Sequence, residues 1–417
     1  MTVDGWRKAT YGDVMREMDQ RAEQAIHLPV LSVTKARGPM LASERFAKVM
    51  HGRDLGRYRL APRNCVVADP MLLWDGSIGL QQVVDTGLVS PDYRVYRPEP
   101  HVEPCYLGYV VRSPQMLPHY EGGARGTNVR RNRIARSDFL AIPVNLPPTT
   151  EQRKIATILA SVDDAIAATQ AVIGQLQVVN VAMMAELLTR GVPGRHTRFK
   201  PTAIGNVPAS WDVVRAETIF SEGPSNGRSP IATVTPPGVP TFSISAVRGG
   251  RVNIAGNVKY AAGDPSSLQG ALLSVGDILI VRGNGNPAFV GLCGMVVEEP
   301  PNGCIYPDIL MKVRPISGVL SDFLVAAWNS PVIHEQILNK AKTTNGTYKI
   351  NGQDVRDILF PVPDLEEQRL IAQSREAVQA NASRHAEELD ALNTLKTALM
   401  AVLLTGEVRV KPDPESA

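Results

Sequence analysis

From Leu159 onward, hydrophobic positions recur at alternating steps of three and four: Leu159, Val162, Ile166, Thr169, Ile173, Leu176, Asn180, Met183 and Leu187. Such spacing keeps one face of an α-helix apolar, and the strict alternation is the heptad seam of a coiled coil. The stretch from about 150 to 190 holds a single glycine, Gly174, and no proline. It predicts one long helix. The stripe returns 216 residues later as Arg375, Val378, Ala382, His385, Leu389, Leu392, Lys396, Leu399 and Leu403. The match has no gap: Glu151-Gln152-Arg153 becomes Glu367-Gln368-Arg369, and Leu187-Leu188-Thr189 becomes Leu403-Leu404-Thr405. Two seam positions are polar in both copies, Thr169 with His385 and Asn180 with Lys396. Polar residues there fix register at a cost in stability, or else lie partly in water.

Between the helices the texture changes. Residues 57–60, 64–67 and 93–96 in the first half, and 241–245 and 277–281 in the second, read as short strands among Gly- and Pro-rich turns. The globular parts also repeat, more loosely: residues 29–38 resemble 240–249, 90–98 resemble 306–315, and Gly126-Thr127 resembles Gly346-Thr347. Trp6 and Trp211 open the two halves. A period above 200 residues is too long for a solenoid and indicates duplicated domains. The division expected is a first globular domain at 1–146, a first helix at 147–194, a second domain at 195–363, a second helix at 364–410 and a tail at 411–417. The fold class is α+β, with two similar mixed domains separated by two long helices in an internal pseudo-twofold repeat.

Composition narrows the chemistry. With 44 basic and 41 acidic residues the formal charge is +3, so an anionic partner must be met by local patches. Cys65, Cys105, Cys293 and Cys304 form no C-x-x-C pair, which reads as reduced thiols. No unbroken apolar run reaches the roughly 18 residues that span a bilayer, and the start lacks a signal-peptide pattern. The expectation is a soluble, cytoplasmic protein without a membrane role.

No nucleotide loop, H-E-x-x-H or G-x-S-x-G motif is present. Leu310 stands where a metal nuclease would need a second acid before Lys312, and Asn145-Leu-Pro-Pro148 lacks the aromatic of an amino-methyltransferase motif. No catalytic or metal-ligating set is expected. Binding signals are stronger. Arg125, Arg130, Arg131, Arg133 and Arg136 crowd an acid-free stretch with Thr127, Asn128 and Asn132. Arg can bond guanine edges and phosphates bidentately, and Asn can read adenine. The matching stretch of the second half carries Lys342, Thr344, Thr347 and Lys349. A charge run alone is usually a solvated face; one that recurs beside the same Gly-Thr points to nucleic acid. Lys35 and Arg37, with Arg248 and Arg251 at the matching place, extend the candidate set, as do Arg282, Asn284 and Asn286 in a polar loop whose backbone amides could meet a phosphate.

Two variable domains, each leading through Pro into a Glu-Gln-Arg-x-Ile-Ala helix that ends in Leu-Leu-Thr near a glycine (147 to 191 and 363 to 406), resemble the DNA-specificity subunit of a type I restriction–modification system. The resemblance covers essentially the whole chain. It implies that each globular part is a target recognition domain reading one half of a split, asymmetric site in double-stranded DNA. It implies that the helices pack antiparallel, set the unread spacer and dock two methyltransferase subunits, to which restriction subunits can add. It also implies no cofactor in this chain: S-adenosylmethionine is held by the methyltransferase, ATP and magnesium by a restriction subunit where one exists. On this reading the helix-pair and docking residues are Glu151, Gln152, Arg153, Leu159, Val162, Ile166, Ile173, Leu176, Asn180 and Leu187, and Glu367, Gln368, Arg369, Val378, Leu389, Leu392, Lys396, Leu399 and Leu403. The alternative is a specificity subunit of a related phage-defence methylation system without the motor nuclease. One departure stands out: Gly276-Asp277, a strand-start signal, is replaced in the first half by Arg63-Asn64.

If the helices measure the spacer, four residues inserted near Gln175 add about one turn, roughly 6 Å. DNA rises about 34 Å per turn of 10 base pairs, so the preferred spacer should lengthen by one or two base pairs with the half-sites unchanged. Methylation mapping of the insertion variant checks this; an active variant with the original spacer would reduce the helices to a docking surface.

Overall fold

The structure is a computed structural model describing residues 5–23, 27–46, 54–125, 133–233, 238–262, 265–344 and 346–411, with only the backbone described at 124, 125, 232, 233, 265–267 and 344. It divides into two compact units, Met1–Thr169 with Glu388–Ala417, and Gln170–Glu387. The long helices run Thr149–Arg190 and Leu365–Leu403.

The first unit is built on a four-stranded antiparallel sheet in the order Met15–Met18, Arg94–Pro98, Val66–Ala68, Ile78–Leu80. Val66 and Ala68 enter the main core with Tyr11, Tyr96, Tyr106 and Phe139, while Val67 enters a smaller cluster with Leu31, Val33, Val89 and Val95. The second unit has a six-stranded sheet in which Ile278–Val281 sits between Leu310–Pro315 and Cys293–Met295. Here Ile278 and Ile280 face one core and Leu279 and Val281 another. Side chains alternate along a strand, so a strand covered on both faces is apolar throughout. This is why both segments read as continuous apolar runs.

The two sheets correct the pairing of Arg63-Asn64 with Gly276-Asp277. Asn64 has φ +65° and Gly276 φ +91°. The Asn64 amide donates to Gln81 O and the Gly276 amide to Val296 O, each at 2.8 Å. Asn tolerates this left-handed backbone better than most residues. Asn64 therefore takes the place of Gly276, and Cys65 that of Asp277. Fully buried Asp277 accepts from Arg314 Nε at 2.6 Å and from the Ser274 amide at 2.9 Å. In the first unit a buried thiol, its pKa raised by desolvation, fills that position.

Each unit joins the start of one long helix to the end of the other. In the first, Ile155 and Leu159 share a core with Met400 and Leu403, and Lys396 Nζ lies 2.6 Å from Asp163 Oδ1. In the second, Ile371 packs with Met184, Leu187 and Leu188. Along both helices the heptad positions are the buried or half-buried ones, from Leu159 through Val162, Ile166, Ile173, Leu176 and Asn180 to Leu187, and from Arg375 through Val378, Leu389, Leu392, Lys396 and Leu399 to Leu403. The polar seam positions differ in behaviour: Lys396 is paired with Asp163, whereas the buried Asn180 Oδ1 has no partner among the described residues.

The repeated Glu-Gln pairs are buried at the helix starts. Gln152 donates to Pro147 O at 2.9 Å and accepts from the Glu103 amide at 2.8 Å; Gln368 donates to Pro363 O at 2.9 Å and accepts from the Leu320 amide at 2.8 Å. Glu103 and Leu320 cap the helices Pro104–Arg112 and Ser321–Trp328. Each glutamine thus clips the preceding strand and a domain helix to the long helix. Glu151 accepts from Trp6 Nε1 at 3.1 Å and from Arg409 Nε at 2.8 Å. Glu367 accepts from Trp211 Nε1 at 2.9 Å and the Val192 amide at 2.8 Å, with His196 Nε2 2.9 Å away. Gly191 and Gly406, at φ +74° and +77°, close the two helices. A Cβ on Gly191 would fall 2.7 Å from the Glu367 carboxylate.

By length and composition Thr149–Arg190 could cross a membrane. No charge occurs between Asp164 and Glu186, although Thr169, Gln170, Gln175, Gln177 and Asn180 interrupt the apolar residues, so no unbroken apolar run reaches the spanning length. Val172, Val178, Val179 and Val181 are exposed.

Burial pushes the Glu151 pKa up, but hydrogen bonds from Arg409 and Trp6 outweigh it and hold the carboxyl below its usual value. A depressed carboxylate stabilises the fold above its unfolded pKa, about 4.3, and that contribution is lost as pH falls through the folded pKa. Arg409→Ala should cost about 1–3 kcal/mol at pH 7, the low side for breaking a buried pair because Arg409 is 42% exposed. Urea melts at pH 7 and pH 3 test it: the gap between wild type and variant should shrink in acid, and a constant gap would remove the Glu151 charge from the account.

Candidate nucleic-acid interface

Both units carry a β-hairpin late in the globular part, made by the basic stretches of the sequence. In the first, Ala124–Arg125 pairs with Arg133–Ile134, placing Arg125 opposite Arg133. In the second, Lys342–Thr344 pairs with Thr347–Lys349, placing Lys342 opposite Lys349. Like charges directly opposite on a hairpin are destabilising. Lys342 and Lys349 form such a pair, a surface that an anion would relieve, and the register of the first hairpin sets two arginine positions opposite each other at the matching place. Arg133, Lys342 and Lys349 are exposed, and Thr347 is half-buried. The side chains of Arg125 and Thr344, and all of Thr127, Asn128, Arg130 and Arg131, lie outside the described residues.

The loop at 282–287 joins the second hairpin. Gly283–Asn284 pairs with the inner strand, Gly283 opposite Lys349 and Asn284 opposite Tyr348, giving a three-stranded sheet. Asn284, Lys342, Thr347 and Lys349 are thereby brought together. Two amides at this place are already used: those of Asn286 and Ala288 donate to the side chains of Asn284 and Asn286, at 2.9 and 3.0 Å. Arg282 turns inward, with Nη1 3.4 Å from Asp308 O and a buried Nε.

The remaining candidates lie on a second hairpin in each unit. Lys35 and Arg37 stand in the turn between Leu31–Thr34 and Gly38–Leu41, and both are exposed. Lys35 is bridged to Asp75 at 2.6 Å. Arg248 and Arg251 face each other across the Gly249-Gly250 turn. Arg248 lies 4.2 Å over the Phe289 ring, and Arg251 is bound to Glu376 of the second long helix at 2.6 Å. Arg153 and Arg369 are exposed beside their buried Glu-Gln neighbours.

Residues absent from the sequence reading are Phe289, which supports Arg248, and Arg409 and His196, which meet the buried glutamates from beyond the helix ends. Only a partnerless buried glutamate in the repeat could have signalled the last two. Lys342→Ala and Lys349→Ala should each lower the salt slope of duplex binding by about one. In free protein the same changes should leave stability equal or slightly raised, because a like-charge pair is removed. Salt titrations with thermal melts read both; an unchanged slope in both variants would make the hairpin a solvated face.

No family model matches the chain. It is 26% identical over 322 residues to the type I restriction enzyme EcoKI specificity subunit of Escherichia coli strain K12, spanning 75% of this chain and 68% of that protein. It is 24% identical over 353 residues to the type I restriction enzyme MjaVIII specificity subunit of Methanocaldococcus jannaschii, spanning 82% and 80%. Its fold is similar to that of a solved chain from work on complex assembly and conformational transition of the type I R-M system, with TM-score 0.58 at 18% identity over 98% of this chain and 100% of that one. With the repeat, the helix pair and the paired domains, these likenesses agree: the chain is similar in sequence to type I restriction enzyme specificity subunits, and in fold to a chain of such a system.

Proposed function

We propose that this chain is the DNA-reading subunit of a type I restriction–modification complex, with one domain on each half of a bipartite, asymmetric site. The observation that carries the reading is the pair of hairpins with like charges across them, at matching places in two domains, one built from arginines and the other from lysines. Similar frames with different contact residues suit two related but unequal half-sites.

Catalysis falls to partners. The methyltransferase binds S-adenosylmethionine and transfers its methyl group; a restriction subunit, where present, uses ATP and magnesium. The exposed valines of the first long helix, Val172, Val178, Val179 and Val181, offer an apolar strip on which a partner helix can bury area, which supports docking of methyltransferase subunits there. A frame repeated twice suits two such subunits.

Replacing residues 1–146 with the matching domain of a relative should change one half of the methylated motif and leave the other. Genome-wide methylation mapping reads both halves at once, and a change in both halves, or in neither, would sink the modular reading. The pure chain with S-adenosylmethionine or magnesium should neither methylate nor cut DNA.

A further inference from the structure

In both units a glycine of the Lys35/Arg37 or Arg248/Arg251 hairpin is packed against a guanidinium. Gly38 has φ +71°, and a Cβ there would fall 2.6 Å from Arg112 Nη1; Gly250 has φ +83°, and a Cβ there would fall 2.6 Å from Arg375 Nη2. The two glycines are equivalent, one residue off the pairing of 29–38 with 240–249 that the sequence suggests. Gly79 lies opposite Val67 and Gly294 opposite Leu279, the matching strands of the two sheets. A Cβ on Gly79 would meet Pro39, and one on Gly294 would meet Arg251, each the residue after the turn glycine. Each guanidinium also donates to turn carbonyls: Arg112 Nη2 to Lys35 O at 3.1 Å and Ala36 O at 2.7 Å, Arg375 Nη2 to Gly249 O at 3.1 Å. Neither has a carboxylate within salt-bridge distance among the described residues, and burial lowers the pKa of both.

The two arginines come from different elements. Arg112 ends the helix Pro104–Arg112, nine residues after the Glu103 cap; nine residues after the matching Leu320 cap stands Asn329, which instead binds the Cys293 backbone at 2.9 and 3.0 Å. Arg375 lies on the second long helix, and its match in the first is Leu159, fully buried in the core. The guanidinium is kept at the hairpin turn although its source has moved. A partly desolvated charge whose carboxylates, Asp163 for Arg112 and Glu376 for Arg375, act only from beyond salt-bridge distance is costly, so its retention at one spot by two routes marks the turn as the thing being held.

We propose that Arg112 and Arg375 are equivalent positioning residues, each bracing the turn of the hairpin that presents Lys35 and Arg37, or Arg248 and Arg251, to DNA beside the basic hairpin described above. This rests on the DNA-reading function proposed above. In the second unit the hairpin is tied twice to the long helix, by Arg375 and by the Arg251–Glu376 pair. In the first unit the Arg112 brace comes from within the globular domain. A disturbance of the second long helix near Arg375 therefore reaches the half-site read by residues 195–363.

The test uses the complex with its methyltransferase and three duplexes: the native site, and the site with either half scrambled. Arg375→Leu, which installs the residue of the first repeat, should lower discrimination at the second domain's half-site about tenfold or more, the effect of one hydrogen bond to a charged group. Discrimination at the other half should hold. Arg112→Leu should do the reverse, and Arg375→Lys, which keeps a cationic donor, should recover part of the loss. In free protein, amide exchange at 247–252 should quicken in Arg375→Leu while that at 31–41 does not. Unchanged discrimination and exchange in Arg375→Leu overturns the inference. So does an equal loss at both halves together with a lowered melting temperature. A wild-type complex that fails to discriminate the scrambled duplexes would instead sink the DNA-reading function, and the exchange measurement would still decide the brace.

Discussion

Each half of this molecule is organised around a carboxylate and an amide buried at the start of a long helix. Glu151 and Glu367 are inaccessible to solvent to within a few per cent, as are Gln152 and Gln368. Buried polar groups must be fully bonded or they cost more than an apolar replacement would. Each glutamine satisfies this by clipping a domain helix and the incoming strand, and each glutamate by holding a tryptophan indole together with a segment that follows the other long helix. A domain can meet these demands only when its own helix start and the other helix's end are both in place.

On that shared frame the halves have diverged where the frame does not constrain them. Asp277, held by Arg314, corresponds to Cys65. The arginine pair of one hairpin corresponds to the lysine pair of the other. The brace of the recognition turn comes from a domain helix in one unit and from the long helix in the other. Such changes alter contact chemistry and coupling while the sheet order around the central strand is kept.

The helices, their seam and the two-domain α+β plan were legible in the chain because they rest on short-range periodicity. Spacing by three and four decides which helical face is apolar, and strand texture is set within four or five residues. The candidate site was legible in part. The basic stretches of both halves were visible as charge runs, but not that Lys342 would stand opposite Lys349, nor that Arg282 would turn inward and the Asn286 and Ala288 amides be capped by Asn side chains. Hairpin register and loop hydrogen bonds depend on where the chain turns, which a charge pattern does not specify.

The sequence alone determined that there are two copies of one plan, that Glu-Gln-Arg begins each long helix, and that a heptad face runs along it. Tertiary structure decided what those residues hold. Glu151 finds Arg409 across 258 positions, Gln368 finds Leu320 across 48, and Arg375 reaches Gly249 across 126. Periodicity is a property of neighbours and survives in one dimension. A hydrogen bond between remote residues exists only once the chain has closed on itself, so the one-residue slip between Asn64 and Gly276, and the exchange of Arg112 for Arg375 as the brace, became visible only in three dimensions.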